Sequence, residues 1–215
     1  MHVQLWRLAK SLRILDAMKT QTAIAALLTL VTAPLVSAAP PPAAPATGTE
    51  VGQHIPAFTA QVVDVSKNPP KTSDFDSAKQ DHVTAYIFVG TTCPATAAYS
   101  DRFKELERAY GKKGVVFLYI YPNRNDSRDQ KLAFHQQRQF AGRLIDDQDA
   151  RLAHLFQAKR TSELFLTDEH GVIIYHGAVD DSRDPQAVKQ HYLATALDEH
   201  IAGKPVTVAS SDVFA

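Results

Sequence analysis

The most restrictive feature of the chain is one cysteine that lies between an apolar run and an amphipathic segment. The run Val83–Val89 is rich in β-branched and aromatic residues, which predicts a buried strand. Pro94 directly follows Cys93, and proline is favoured at the first position of a helix. Beyond it, apolar residues recur at the three- and four-residue spacing of an amphipathic helix, at Tyr99, Phe103, Leu106 and Tyr110. We therefore expect Cys93 where a strand ends and a helix begins.

Two chemical roles are open for this cysteine. The unpaired amides and partial positive charge of a helix N-terminus stabilise a thiolate, which is the nucleophilic form of cysteine. A free cysteine is also among the residue types most often buried as an inert core group. Because Cys93 is the only cysteine, the chain forms no internal disulfide, and the thiol is free, reactive or paired with another molecule.

The remaining apolar pattern predicts an α/β domain. A second apolar run, Val115–Tyr121, follows the helix, and strand, helix and strand in succession imply a right-handed crossover between parallel strands. Ser127 is a plausible cap for the next helix. Further helices are predicted over 128–140, 150–156 and 185–201, and further strands over 61–65, 143–146, 163–166 and 172–175. This set predicts a mixed central sheet with helices on both faces.

Four segments in this order resemble one known family. They are Val51–Phe58, Lys71–Phe75, Cys93–Thr96 and Glu163–Gly177, the last of which reads as a late strand, turn and strand. Together they resemble the redoxin branch of the thioredoxin-like superfamily, which includes alkyl hydroperoxide reductase and thiol-specific antioxidant relatives and thiol–disulfide oxidoreductases. The resemblance implies a thioredoxin-like fold over residues 51–207, with residues 208–215 as a C-terminal tail.

The chain departs from the family pattern at its chemically important positions. Thr96 stands where the second cysteine of a Cys-x-x-Cys motif lies, and Ser162 stands where the family has a cis-proline. Peroxiredoxins have a threonine three residues before their cysteine, where this chain has Gly90. No cysteine follows Lys204–Val206. These departures argue against ordinary dithiol reductase chemistry.

The resemblance also implies a set of site residues. The catalytic pair would be Cys93 and Thr96, since the Thr96 hydroxyl in the first helical turn could donate to the sulfur; its alternative role is to satisfy backbone groups there. The residues expected to contact substrate are Thr92, Pro94, Arg160, Thr161 and Ser162. Arg160 would favour a thiolate electrostatically or would be a solvated surface charge.

The front of the chain predicts a targeting segment. Residues 1–38 combine basic residues, an uncharged apolar run and small residues ending at Ala38, as secretory signal peptides do; Met18 is an alternative start. Residues 39–50 form a Pro/Ala-rich linker. The prediction is an exported, bacterial periplasmic protein without stable membrane insertion after cleavage. The alternative is a membrane anchor that is not cleaved, although the run is short and Pro34 interrupts it.

Charge and motif content argue against several classes of function. Lys plus Arg and Asp plus Glu both number 23, and no basic stripe or nucleic-acid-binding motif appears, so we expect no nucleic-acid partner. The nine histidines form no compact ligand motif, so we expect no metal and no cofactor. The paired acids Asp146–Asp147 and Asp180–Asp181 are explained by turn chemistry.

Two hypotheses for function remain. The first is an exported thiol oxidoreductase that uses the single Cys93, in thiol–disulfide exchange more than in peroxide reduction, with an external protein or small-molecule thiol or disulfide as its resolving partner. The second is a thioredoxin-fold binding or assembly module that has lost redox activity. The thiol pKa of Cys93 and its rate of reaction with a disulfide distinguish the two.

Overall fold

A computed structural model describes residues 48–213 of the chain. The strands are β1 (Thr59–Asp64), β2 (Lys71–Asp76), β3 (Thr84–Phe88), β4 (Val116–Tyr121), β5 (Arg143–Asp146), β6 (Leu164–Thr167) and β7 (Ile173–Gly177). The α-helices are α1 (Pro94–Tyr110), α2 (Arg128–Arg138), α3 (Arg151–Leu155) and α4 (Tyr192–Ile201). All seven strands join one sheet in the order β2-β1-β5-β4-β3-β6-β7.

The sheet is mixed, and its parallel centre places the carboxyl ends of three strands at one edge. Strand β4 pairs in parallel with β3 and with β5, while β1, β2, β6 and β7 are joined through antiparallel pairs. The parallel pair β3–β4 is connected through α1, as the strand, helix and strand pattern predicts. Loops at the carboxyl ends of such strands are the usual place for a functional site in open α/β sheets.

Side chains of the central strands point alternately to the two faces of the sheet, so the core has two layers. In β3, Ala85 and Ile87 pack with residues of α1, α2 and α4 on one face. Tyr86 and Phe88 point to the other face, where Phe156, directly after α3, contacts both rings. Since successive side chains of a strand point to opposite faces, a strand that is apolar throughout must be covered on both. The predicted α/β fold with helices on both faces is confirmed.

Local signals determine where the helices next to the site begin and end. Helix α1 begins at Pro94 after Cys93 and ends before Gly111, as predicted. Helix α2 is preceded by Ser127, whose hydroxyl accepts the Gln130 amide while the Gln130 side chain accepts the Ser127 amide. This reciprocal capping box satisfies two amides that a helix start would otherwise leave unpaired.

Two elements differ from the sequence-based expectation. The predicted helix from Pro185 is wrong in its first part: Pro185–Ala187 is a short 3-10 turn and α4 begins only at Tyr192. The intervening segment runs past Asp181, whose side chain accepts the Lys189 amide and whose own amide donates to the Gln190 carbonyl. The segment Lys71–Asp76 was not predicted as a strand but forms the edge strand β2, which has one buried side chain, Phe75.

Both ends of the described chain attach to the sheet at the β7 edge. The amide of Gly52 donates to the Ile173 carbonyl, and near the C-terminus the amide of His176 donates to the Ala209 carbonyl. These contacts occupy backbone groups of an edge strand that would otherwise stay open to other chains. The predicted leader, residues 1–38, lies outside the described residues.

Candidate functional site

Cys93 lies between the carboxyl end of β3 and the first residue of α1. It is the N-cap residue of α1, with extended backbone, and Pro94 is the first helical residue. The thiol is free and half-buried. The first amides of a helix have no partner within the helix, so the sulfur sits beside donors and the positive end of the helix dipole.

The closest polar partner of the sulfur comes from a distant loop. Thr161 Oγ1 lies 2.7 Å from Cys93 Sγ, within hydrogen-bond distance. The next residue, Ser162, is buried with a φ of 65°, and its amide donates to the Phe88 carbonyl at 2.6 Å. This bond attaches the loop to the end of β3, directly before the cysteine loop. Residues 161–162 therefore face the cysteine.

Gly90 packs beside this contact. A Cβ at position 90 would lie 3.4 Å from both Cys93 Cβ and Thr161 Cγ2. This is the distance of an ordinary van der Waals contact, so Gly90 lies directly against the two residues that form the contact.

The surroundings of Cys93 favour its thiolate. Partial burial alone would raise the pKa of the thiol, but the Thr161 hydroxyl and the amides of Thr96 and Ala95 outweigh it, so the pKa of Cys93 is lowered. Neither amide makes a hydrogen bond of good geometry to the sulfur in this structure, so the Thr161 hydroxyl is the best-defined donor. Donation to the charged form of an acid lowers its pKa.

Thr96 contributes less directly than Thr161. Its side chain is fully buried, and its Oγ1 accepts the Gly90 amide at 3.2 Å. A hydroxyl that accepts one hydrogen bond still has its proton to donate. The Thr96 hydroxyl lowers the pKa of Cys93, with a smaller effect than Thr161 or the first-turn amides. Thr96 therefore also holds the cysteine loop, by fixing Gly90.

The other residues predicted to contact substrate differ in their exposure and in their hydrogen-bond partners. Thr92 and Pro94 are exposed on either side of Cys93. The guanidinium of exposed Arg160 donates to the Val213 carbonyl at 2.7 Å. Ser162 is buried, and its hydroxyl has no hydrogen-bond partner among the described residues. The structure thus brings Cys93, Thr96 and Thr161 together and leaves the Arg160 charge engaged with the C-terminal segment.

Two residues of the site escaped the sequence analysis. Asp126, buried in the loop after β4, accepts hydrogen bonds from Thr91 at 2.5 Å and from Asn123 at 2.9 Å. It thereby holds the loop that leads into Cys93. Sequence reasoning could have found Asp126, because polar side chains in the loops after two adjacent parallel strands meet at the same edge of the sheet. The second residue, Glu163, is buried directly after the Thr161–Ser162 pair.

Two of the histidines contact a carboxylate rather than a shared centre. His176 contacts Glu163 at 2.8 Å and His200 contacts Glu169 at 3.1 Å. Within residues 48–213, no three His, Cys, Asp or Glu side chains are grouped closely enough to hold a metal ion. Over the same residues, no helix combines the length and the apolar character needed to span a bilayer.

The sequence matches the family model of Redoxin over residues 50–192. No curated protein matches it significantly. Among solved structures, an uncharacterized conserved protein from Geobacillus kaustophilus is similar with a TM-score of 0.65 and 22% identity, over 75% of this chain and 89% of that one. A hypothetical protein from Sinorhizobium meliloti has a TM-score of 0.64 and 20% identity, over 75% and 91%.

A third structure extends the comparison to a redox protein. It is a protein from Chlorobium tepidum, provisionally assigned as the thiol:disulfide interchange protein DsbE. Its TM-score is 0.51 at 16% identity, over 60% of this chain and 85% of that one. At such identities the likeness concerns the fold, and the fold is thioredoxin-like.

Proposed function

The chain belongs to the Redoxin family, and from this premise we propose that it is a thiol oxidoreductase with Cys93 as its single nucleophile. The observation that carries the proposal is the 2.7 Å contact between Cys93 Sγ and the Thr161 hydroxyl at a helix N-terminus. An inert core thiol needs no such donor. A lowered pKa increases the thiolate fraction near neutral pH, and the thiolate is the attacking species.

The reaction we propose is thiol–disulfide exchange through an external partner. The Cys93 thiolate attacks one sulfur of a partner disulfide, forms a mixed disulfide and releases the other partner sulfur as a thiolate. A second external thiolate then attacks the partner's sulfur in the mixed disulfide, which forms a new partner disulfide and returns Cys93 as a thiolate. The external thiol takes the role of an internal resolving cysteine, because the chain has only one cysteine.

Disulfide exchange is a better proposal than peroxide reduction. Gly90 occupies the position of the peroxidatic threonine and offers no hydroxyl. The hydroxyl beside the sulfur comes instead from Thr161, on the loop that by family resemblance faces the substrate. A hydroxyl donor at this position stabilises the Cys93 thiolate before it attacks the partner disulfide, and again when it leaves the mixed disulfide.

One observation favours a second candidate, a binding or assembly module without redox activity. Ser162, at the position of the family's cis-proline, is buried in a left-handed conformation, and its hydroxyl finds no hydrogen-bond partner within residues 48–213. A partner disulfide would therefore meet a loop that differs from the one used in dithiol enzymes. In this second proposal the Cys93 surface binds a partner without exchange.

We also propose that the protein is exported. The support is the combination of basic residues, apolar run and small residues over 1–38, with the Pro/Ala-rich linker over 39–50. Export suits the proposed chemistry, since partner disulfides persist in oxidising compartments.

The rate of Cys93 alkylation by iodoacetamide as a function of pH tests the thiol proposal. We expect a pKa below the ordinary value of about 8.5, rapid formation of a mixed disulfide with oxidised glutathione, and release of Cys93 by added thiol. Cys93→Ser is the control that should do none of these. A pKa at or above the ordinary value, with slow exchange, would refute the oxidoreductase and favour the binding module.

A further inference from the structure

The loop that carries Thr161 is tied to one buried carboxylate. A single oxygen of Glu163, Oε2, accepts the amides of Lys159 at 2.7 Å and of Arg160 at 3.0 Å. The side chains of Lys159 and Arg160 are exposed, so core packing does not hold this part of the loop. Two bonds from one oxygen fold the loop back over residue 163 and determine where the following Thr161 lies.

The carboxylate is itself held on its other side. Glu163 Oε1 lies 2.8 Å from His176 Nε2, and the His176 ring stacks on Phe165 with 4.0 Å between centroids. The Glu163 carbonyl accepts the Phe88 amide at 2.9 Å, which joins the residue to β3. Glu163 therefore connects the loop to β3, whose following loop carries Cys93, and to β7.

The carboxylate is charged in this setting. Burial alone would raise the pKa of Glu163, but hydrogen bonds from His176 and from the amides of Lys159 and Arg160 lower it below its ordinary value. Charge-assisted hydrogen bonds of this kind are stronger than neutral ones. The loop before Thr161 is thus held by strong bonds that originate outside the cysteine loop.

We propose that Glu163 is a positioning residue for Cys93, whose carboxylate holds residues 159–161 so that the Thr161 hydroxyl stays within hydrogen-bond distance of the sulfur. This inference rests on the proposed function, since it concerns the reactivity of the same thiol. Glu163 acts only through Thr161.

The direction of change in the Cys93 pKa distinguishes positioning from a plain charge effect. Glu163→Ala frees the loop, weakens the donation from Thr161, and should raise the Cys93 pKa by about half a unit, the order expected for partial loss of one hydrogen bond. If the carboxylate acted only through its negative charge, its removal would favour the thiolate and lower the pKa.

Glu163→Gln provides the conservative rescue. The amide oxygen of glutamine can replace Oε2 as acceptor for both loop amides, and its NH₂ group can face a His176 Nε2 that accepts. We expect the pKa of Cys93 in this variant to stay near that of the unmodified protein. A double-mutant cycle adds that Glu163→Ala should cause no further shift once Thr161→Val has removed the hydroxyl.

Glu107 offers a matched control. It is a buried carboxylate that likewise accepts two loop amides, from Ala141 at 2.9 Å and Gly142 at 2.7 Å. These amides lie just before β5, at the sheet edge opposite to Cys93. Glu107→Ala and Glu163→Ala should both lower the free energy of unfolding, but Glu107→Ala should leave the Cys93 pKa unchanged.

The experiment measures the pH profile of Cys93 alkylation in the full chain for these variants, with urea unfolding to confirm that each is folded. If Glu163→Ala does not fold, His176→Ala replaces it in the experiment. This variant should also raise the Cys93 pKa, but by less than the shift expected for Glu163→Ala. The inference is overturned if the pKa falls or stays constant in a folded Glu163→Ala or His176→Ala protein, or if Glu107→Ala raises it equally. An unmodified chain with an ordinary Cys93 pKa contradicts the proposed function instead, because the inference concerns only the differences between variants.

Discussion

Replacing Thr161 by valine is the most direct test of the site. Valine keeps the shape of threonine and removes the hydroxyl that lies 2.7 Å from Cys93 Sγ. A hydrogen bond to a charged group contributes about 1.5–3 kcal/mol, and one to a neutral group about 1 kcal/mol. The hydroxyl also contacts the protonated thiol, so only the difference of about 1 kcal/mol shifts the equilibrium. Since one pKa unit corresponds to about 1.4 kcal/mol, the pKa of Cys93 should rise by about 0.5–1 unit.

The assay is the alkylation rate of Cys93 as a function of pH, checked by the ultraviolet absorbance of the thiolate. Thr92→Val is the matched control, because Thr92 is an exposed neighbour of the cysteine and its loss should leave the pKa unchanged. Thr96→Val should raise the pKa less than Thr161→Val and should destabilise the fold more, because its hydroxyl also holds the Gly90 amide. An unchanged pKa in a folded Thr161→Val protein, or a larger shift in Thr96→Val, would refute the assignment of Thr161 as the main donor.

Two further predictions concern stability and export. His135 is buried, bonded to Tyr121 and Gly142, and burial lowers its pKa from 6.5 to about 4. The unfolded chain therefore takes up a proton at higher pH than the folded one, and between pH 6.5 and about 4 the protein should lose about 3 kcal/mol of unfolding free energy that a His135→Gln variant does not lose. The prediction would be contradicted if urea unfolding showed the same pH dependence of the unfolding free energy for the unmodified protein and for His135→Gln. For export, N-terminal sequencing of the mature protein should begin after Ala38, and an intact chain that starts at Met1 or Met18 would contradict the leader.

The central architecture was predictable because its signals are local. The apolar runs that became β3 and β4 are too continuous for a half-exposed strand, so they required cover on both faces. Pro94 and the spacing of Tyr99 and Phe103 placed the start of α1 directly after Cys93. The edge strand β2 was missed because an edge strand with one buried side chain, Phe75, has no apolar alternation.

The start of α4 was decided by tertiary contacts. The sequence after Pro185 contains few helix breakers, yet residues 189 and 190 bond to Asp181 and lie outside the helix. Side chains of Asp that bond nearby backbone compete with helix formation in this way. The local sequence pattern after Pro185 does not show that the Asp181 carboxylate will lie close enough to accept a backbone hydrogen bond there.

By itself, the sequence determined that a lone cysteine would lie between a buried strand and a helix. The apolar spacing that indicates each element, and the proline at the helix start, are signals that extend over only a few residues. Only the tertiary structure decided which groups surround the sulfur. Thr161 is 68 residues from Cys93, and Asp126 is 35 residues from the Thr91 that it holds. These pairs meet because parallel strands bring their carboxyl ends to one edge and the antiparallel β6 starts beside them. The pKa of the cysteine therefore depends on contacts that sheet topology creates.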